Sequence, residues 1–189
     1  MSDLFRLADI HRARPQPLVG PADDGQPPEG FFANRSIMML DPGAGPQQDF
    51  GMIVAARRGP QVLILADRTT AGDPNVWSKA VIDAAWEFDV EAVYSTHHPA
   101  FEFIAGILRA RGLPVPVKQR LAPWRSDAEA VASLYERGLV RHQRPLEQLE
   151  AQLLHYGARE HLPRATAAIA AVQQLHVPAP PQGIYPVRL

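Results

Sequence analysis

Cysteine is absent from the sequence of 189 residues, and lysine occurs only twice. Without cysteine, the chain can form no disulfide bond, no thiol nucleophile and no cysteine-ligated zinc site. Long apolar runs are also lacking, since no stretch approaches the roughly 18 apolar residues that mark a membrane-spanning helix. The N-terminus, which begins Met1-Ser2-Asp3, carries an acid and lacks the apolar core of a signal peptide. We therefore expect a cytoplasmic protein that has no membrane partner.

The charge of the whole chain is close to neutral, with a formal net value of −1. This value argues against a general polyanion binder. Residues 103–125 differ, because they contain five cations and no acid: Arg109, Arg111, Lys118, Arg120 and Arg125. Arginine forks match phosphate oxygens, so these five residues are the candidate DNA-binding group. A solvated helix face would have the same composition, and the sequence leaves both interpretations open.

Prolines and glycines concentrate at both ends of the chain and divide it into three parts. Five prolines and three glycines between residues 15 and 30 argue against regular structure there. We expect a tail over 1–34, one domain over 35–176 and a second proline-rich tail over 177–189. Apolar residues near the N-terminus, such as Phe5 and Ile10, could still dock on the domain or on a partner.

The spacing of apolar residues predicts three short strands followed by alternating helices and strands. Strands are expected over 37–40, 51–56, 61–66 and 92–94, with shorter extended segments over 114–118 and 139–142. Helices are expected over 75–88, 100–111, 126–137, 145–156 and 163–175. Ser126 and Glu129 form a candidate capping box for the third helix. This order predicts an α/β fold, a mixed sheet with antiparallel first strands and flanking helices.

Two acids frame the first predicted turn. Asp41 ends an apolar strand, and Asp49 begins the next one after a glycine-containing turn. A carboxylate held there by rigid backbone is well placed to bind a catalytic metal ion. The alternative is a hairpin in which Asp-Pro-Gly only makes the turn. The local pattern leaves both open.

Six segments, in this order and spacing, carry a resemblance to one family. They are Met39-Leu40-Asp41-Pro42-Gly43, Asp49-Phe50-Gly51-Met52-Ile53-Val54, and the stretches 62–69, 73–77, 128–142 and 146–153. Together they resemble the C-terminal nuclease domain of the large terminase subunit of phages and gene transfer agents. The resemblance covers about residues 36–175. It implies an RNase H-like fold in which clustered carboxylates hold two divalent metals, Mg²⁺ or Mn²⁺, that cleave DNA.

Within this resemblance, Asp41 matches the first-strand metal ligand and Asp49 matches a nearby accessory acid. Asp67 falls where the family often has an aspartate after its third strand. These three residues are the candidate catalytic acids of a metal-dependent endodeoxyribonuclease. The candidate metal ligands are Asp41, Asp49 and His97.

The sequence departs from the family at two important positions. Ser95 stands where the family has a glutamate after the fourth strand, and Thr166 stands at its last aspartate. A neutral hydroxyl is a poor ligand for Mg²⁺, so the two-metal site should be lost. His97, which falls at the family's asparagine, could instead help to bind a softer metal such as Mn²⁺ or Zn²⁺. Trp124 replaces part of a basic turn, and we expect it to lie in the core or, alternatively, to stack on a ligand.

The sequence also lacks the phosphate-binding loop of an ATPase, so a free-standing domain without a packaging motor is expected. Our first hypothesis is an inactive nuclease-like domain that binds DNA, terminase or portal components in the host cytoplasm, with no cofactor. The alternative is an active endonuclease that uses Asp41, Asp49 and Asp67 with Mg²⁺ or Mn²⁺. A third hypothesis is an unrelated α/β structural protein, which would show a different order of strands.

Overall fold

A computed structural model describes residues 4–15, 35–42, 49–96, 99–157 and 161–176. The strands are β1 (Arg35–Asp41), β2 (Asp49–Arg58), β3 (Gln61–Asp67), β4 (Thr70–Ala71), β5 (Ala92–Ser95), β6 (Val117–Gln119) and β7 (Val140–His142). The helices are α1 (Leu7–Ala13), α2 (Pro74–Glu87), α3 (Phe101–Ala110), α4 (Arg125–Glu136), α5 (Glu147–Leu154) and α6 (Pro163–His176). No helix in the described ranges combines the length and the apolar character needed to cross a bilayer.

The strands form one mixed sheet in the order β6-β5-β1-β2-β3-β7, and β4 pairs with β2. Strands β1, β2 and β3 are antiparallel to one another, whereas β5 is parallel to β1, β6 to β5, and β7 to β3. The predicted mixed sheet with antiparallel first strands and flanking helices is therefore confirmed. Strand β4, which is only two residues long, was not predicted.

Alternation along the strands gives the sheet two buried faces. Ile37 and Met39 pack on the first face, which is covered by α1, α4, α5 and α6. Met38 and Leu40 pack on the second face, which is covered by α2 and α3. Helix α6 contributes mostly alanines to its contact with the sheet, and these short side chains let its backbone lie close to β1 and β2.

The residues that cap α4 differ from the predicted pair. Helix α4 begins at Arg125 rather than Ser126, because the Asp127 carboxylate accepts a hydrogen bond of 2.7 Å from the backbone N–H of Trp124. Trp124 and Asp127 therefore replace Ser126 and Glu129 as the capping pair.

Near the N-terminus, α1 buries Ile10 and Ala13 against the domain. The boundaries 1–34, 35–176 and 177–189 stay predictions, since residues 16–34 and 177–189 lie outside the described ranges.

Candidate functional site

The three candidate acids lie at one end of the sheet. Asp41 is the last residue of β1, Asp49 is the first residue of β2, and Asp67 is the last residue of β3. Because β2 is antiparallel to both neighbours, these three positions fall at the same edge. The register confirms this arrangement, since Asp41 pairs with Gly51 and Asp67 pairs with Ile53.

Asp41 is almost completely buried and has two side-chain partners. Its Oδ1 accepts a hydrogen bond from the hydroxyl group of Thr96. Its Oδ2 lies 2.7 Å from Nε2 of His161, in the loop before α6. This contact raises the pKa of His161 above its ordinary value, and partial burial of the imidazole opposes the shift. Asp41 is thus paired with His161, and the contact favours the protonated form of the imidazole.

Asp49 and Asp67 share a different partner, Arg164, in the first turn of α6. Nε of Arg164 donates to Oδ2 of Asp67 at 3.1 Å, and Nη1 donates to Oδ2 of Asp49. The other oxygen of Asp67 accepts a 3.0 Å hydrogen bond from the backbone N–H of Thr69. The side chains of Arg164 and Asp67 are nearly buried, whereas that of Asp49 is 45% exposed. A guanidinium group therefore bridges two of the three candidate catalytic acids.

Gly51 explains how the start of α6 can reach these acids. A Cβ atom at Gly51 would lie 2.4 Å from the backbone oxygen of Pro163, which begins α6. Only glycine leaves room for this close approach of helix backbone to strand. Pro163 suits the first turn of a helix, and it stands between His161 and Arg164. The segment 161–166 thus supplies the partners of all three acids.

The two positions where the resemblance loses a carboxylate are both buried. Strand alternation puts Ser95 on the face of Val93, whereas Asp41 lies on the face of Met39 and Tyr94. Thr96, one residue later, is the side chain that contacts Asp41. Thr166 forms a hydrogen bond with Tyr156, which lies in the turn after α5. Burial raises the pKa of Tyr156, and the hydrogen bond with Thr166 opposes this shift.

The described residues do not form the metal site that the resemblance implies. In the ranges that the structure describes, no three acidic or histidine side chains come close enough together to hold one ion. Asp41 has one neighbouring imidazole, and Asp49 and Asp67 are bound by a cation. His97, the remaining candidate ligand, lies outside the described residues.

The five candidate DNA-binding cations do not share one surface. Arg109 and Arg111 belong to the α3 side of the sheet, where Arg111 donates to the side chain of Asn75 at the start of α2. Arg120 points to α6 and donates to Gln173 and Gln174. The other two, Lys118 and Arg125, are exposed; the ammonium group of Lys118 lies 5.7 Å from the ring centroid of Tyr94.

Trp124 lies on the surface rather than in the core, with 73% of its area exposed. Arg125, the next residue, lines a pocket of about 290 Å³. The pocket is also lined by His161, Tyr156, Thr166, Leu4, Gly157 and Leu162. The pocket therefore connects the surface at the start of α4 with the histidine that contacts Asp41.

Sequence reasoning missed His161, Arg164 and Thr96 as parts of this site. Each contacts an acid that is at least 55 positions away in the chain. The one available signal was the cation that directly follows Pro163 at the predicted start of the last helix. Within the resemblance, that helix was already expected to contribute to the site.

Solved structures similar to this chain include nuclease domains of terminases and whole large terminases. The terminase nuclease domain of human cytomegalovirus, soaked with manganese and bound to an inhibitor, has a TM-score of 0.63 and 16% identity, with 91% of this chain and 95% of that chain covered. The large terminase nuclease of thermophilic phage G20c, solved with bound cobalt, has a TM-score of 0.61 and 15% identity, with coverage of 92% and 98%.

The large terminase of bacteriophage HK97 is a longer chain, of which this protein spans 43%; the TM-score is 0.62 and the identity is 12%. No family model matches the sequence, and no curated protein matches it. At these identities the likeness establishes the fold. The terminase-nuclease type of RNase H-like fold, expected from the resemblance in the sequence, is thereby confirmed.

Proposed function

We propose that this protein is a non-catalytic relative of the terminase nuclease domain that binds DNA or a packaging protein in the host cytoplasm. The observation that carries the proposal is the pairing of the candidate acids. Arg164 binds Asp49 and Asp67, and His161 binds Asp41. The fold supports a place in phage-type DNA packaging, where a terminase or portal component is a candidate partner.

The charges around the candidate acids oppose metal binding. Clustered carboxylates bind Mg²⁺ because they repel one another until cations neutralise them. Here a guanidinium group already lies between two of the acids, so a divalent ion would meet an arginine as well as carboxylates. The positions where the family has further acids hold Ser95 and Thr166, and neither can supply the missing charge. Two-metal hydrolysis therefore lacks its ligand set among the described residues.

The alternative is an endonuclease that uses Asp41, Asp49 and Asp67 with Mg²⁺ or Mn²⁺. Two observations favour it: the three acids share one edge of the sheet, and structures of similar fold were solved with manganese or cobalt. In this case Arg164 would have to leave its two carboxylates when the metal binds.

Nicking and linearisation of supercoiled plasmid distinguish the two functions. The protein would be incubated with Mg²⁺ and, separately, with Mn²⁺, and the Asp41→Ala variant would serve as the control for contaminating nuclease. We expect no cleavage above the level of the variant with either metal. Cleavage by the wild type that disappears in Asp41→Ala would refute the non-catalytic assignment and establish the alternative.

A further inference from the structure

The loop over residues 120–124 leaves the sheet at the same edge as Asp41. Strands β1, β5 and β6 are mutually parallel, so their carboxyl ends lie together. These ends are Asp41, Ser95 and Gln119. The backbone N–H of Arg120 donates to the carbonyl oxygen of Ser95 at 2.9 Å, which continues the sheet contact by one residue.

Both ends of this loop are fixed. At its start, the side chain of Arg120 donates to Gln173 and Gln174 of α6. At its end, the backbone of Trp124 caps α4. The backbone N–H of Trp124 donates to the Asp127 carboxylate, and the backbone carbonyl oxygen accepts from the N–H of Ala128 at 3.2 Å. The backbone is therefore held, but the indole ring of Trp124 projects into solvent.

An exposed indole on a fixed backbone is accessible to a ligand, and covering it would bring a large hydrophobic gain. Leu121 on the same loop is also exposed. The adjacent cation, Arg125, donates to Glu129 at 3.1 Å in an exposed ion pair. Such pairs contribute little stability, so a phosphate group can compete for the guanidinium.

We propose that Trp124 and Arg125 bind unpaired DNA, with one base stacked on the indole ring and the adjoining phosphate on the guanidinium beside the pocket. This inference rests on the proposed function, and it specifies single-stranded DNA as the ligand. Bases that are paired and stacked in a duplex present no free face to an indole, whereas unpaired bases do. A strand end or a frayed site is the form of DNA that supplies such bases.

Charge favours DNA over a protein partner at this loop. Residues 103–125 contain no acid, and the exposed cations Lys118 and Arg125 lie on either side of the loop. A stacking aromatic next to cations is the arrangement that binds single strands without reading their sequence. Among the described residues of α4, Asp127 accepts from the backbone N–H of Trp124, and Glu129 holds Arg125 only in the exposed ion pair that a phosphate would displace.

The test compares two exposed tryptophans. Trp86, on α2 at the other face of the sheet, is 68% exposed and provides a matched control. Binding of a fluorescent oligothymidine would be measured by anisotropy for the wild type, Trp124→Ala, Trp124→Phe and Trp86→Ala. Because stacking contributes about 1–3 kcal/mol per base, Trp124→Ala should bind about 5- to 150-fold more weakly. Trp124→Phe should recover most of the affinity, and Trp86→Ala should match the wild type.

A second readout needs no change at the loop. In Trp86→Phe the only remaining tryptophans are Trp124 and the buried Trp77, which stacks on Phe50. Oligothymidine should quench the emission of Trp124 in this variant, and a duplex of the same length should not.

Equal affinities of Trp124→Ala and Trp86→Ala, or absence of quenching, would overturn the inference. Capture of a packaging protein by this loop, with no DNA binding, would overturn it as well and leave the proposed function standing. Plasmid cleavage that depends on Asp41 would instead refute the non-catalytic function, whatever the anisotropy shows.

Discussion

Replacement of Glu150 by alanine should destabilise the protein strongly, although this residue is remote from the candidate acids. Glu150 lies on α5, and only 3% of its area is exposed. Its Oε1 accepts from the N–H of Leu146 at 3.2 Å and lies 3.1 Å from Nδ1 of His142. Its Oε2 accepts from Nε of Arg14 at 2.9 Å, and the hydroxyl of Tyr135 lies 3.0 Å from the other ring nitrogen of His142.

The magnitude follows from the donors that alanine would leave without an acceptor. The ring of His142 and the N–H of Leu146 are both buried, and each unsatisfied buried donor costs about 1–3 kcal/mol. Arg14 is partly exposed and can turn to water, so it adds little. We expect the free energy of unfolding to fall by about 3–5 kcal/mol, in the range found when one partner of a buried pair is removed. The melting temperature should fall by roughly 10 °C.

The loss of stability caused by Glu150→Ala should depend on pH and become smaller in acid. Burial raises the pKa of the Glu150 carboxyl, but hydrogen bonds from His142, Arg14 and the Leu146 N–H outweigh burial and lower it from 4.5 to about 2. A lowered pKa gives stability that is complete above about 4.5 and is lost as the pH falls towards about 2. The difference between wild type and Glu150→Ala should therefore narrow over that interval.

Urea unfolding followed by circular dichroism, repeated along a series of pH values, measures both effects. Glu147→Gln is the matched control, because it removes an exposed acid from the same helix and should change stability by no more than about 0.5 kcal/mol. If Glu150→Ala were as stable as this control at neutral pH, the buried network would not hold α1, β7 and α5 together as the contacts indicate.

Two further predictions concern the site itself. Gly51→Ala should push the start of α6 away from β2, because the new Cβ would meet the Pro163 backbone, and the free energy of unfolding in urea should fall by about 1–3 kcal/mol. Gly106→Ala is the control, because a Cβ at Gly106 meets nothing within 4 Å. Equal stability of the two variants would contradict the close approach of α6 to β2. Asp41→Asn should lower the pKa of His161 in an NMR titration, since the contact with Asp41 is the main cause of its raised value. Because the pKa of His161 is raised in the folded protein, the contact stabilises the fold fully below the ordinary pKa of 6.5, and this stabilisation is lost as the pH rises through the raised pKa. An unchanged titration of His161 in Asp41→Asn would refute the pairing of the two residues.

The fold was largely predictable because its signals are local. Apolar runs separated by turn residues define β1, β2 and β3, and helical spacing defines α2, α3 and α4. Once β2 is antiparallel to its neighbours, Asp41, Asp49 and Asp67 must share an edge. The partners of these acids were not predictable in the same way, because His161 and Arg164 approach them only through tertiary packing.

One residue of the site was missed and one prediction was wrong, for separate physical reasons. The resemblance places Ser95 at the glutamate position, but a shift of one residue along a strand moves a side chain to the opposite face, so the missed residue Thr96, rather than Ser95, contacts Asp41. Trp124 was expected in the core because aromatic residues near helix starts are usually buried. It caps α4 through its backbone, a role that does not depend on where the side chain lies.

The character of the site depends on the short segment that leads into α6. Three carboxylates at one edge of a sheet need positive charge to lie near one another, and a divalent ion supplies it only when bound. Arg164 supplies positive charge from within the chain, and the pKa of His161 is raised by its contact with Asp41. Gly51 makes this possible, because the close approach of Pro163 to β2 carries both residues to the acids. The three acids at this sheet edge are therefore held by partners from the same chain, next to the loop for which we propose DNA binding through Trp124.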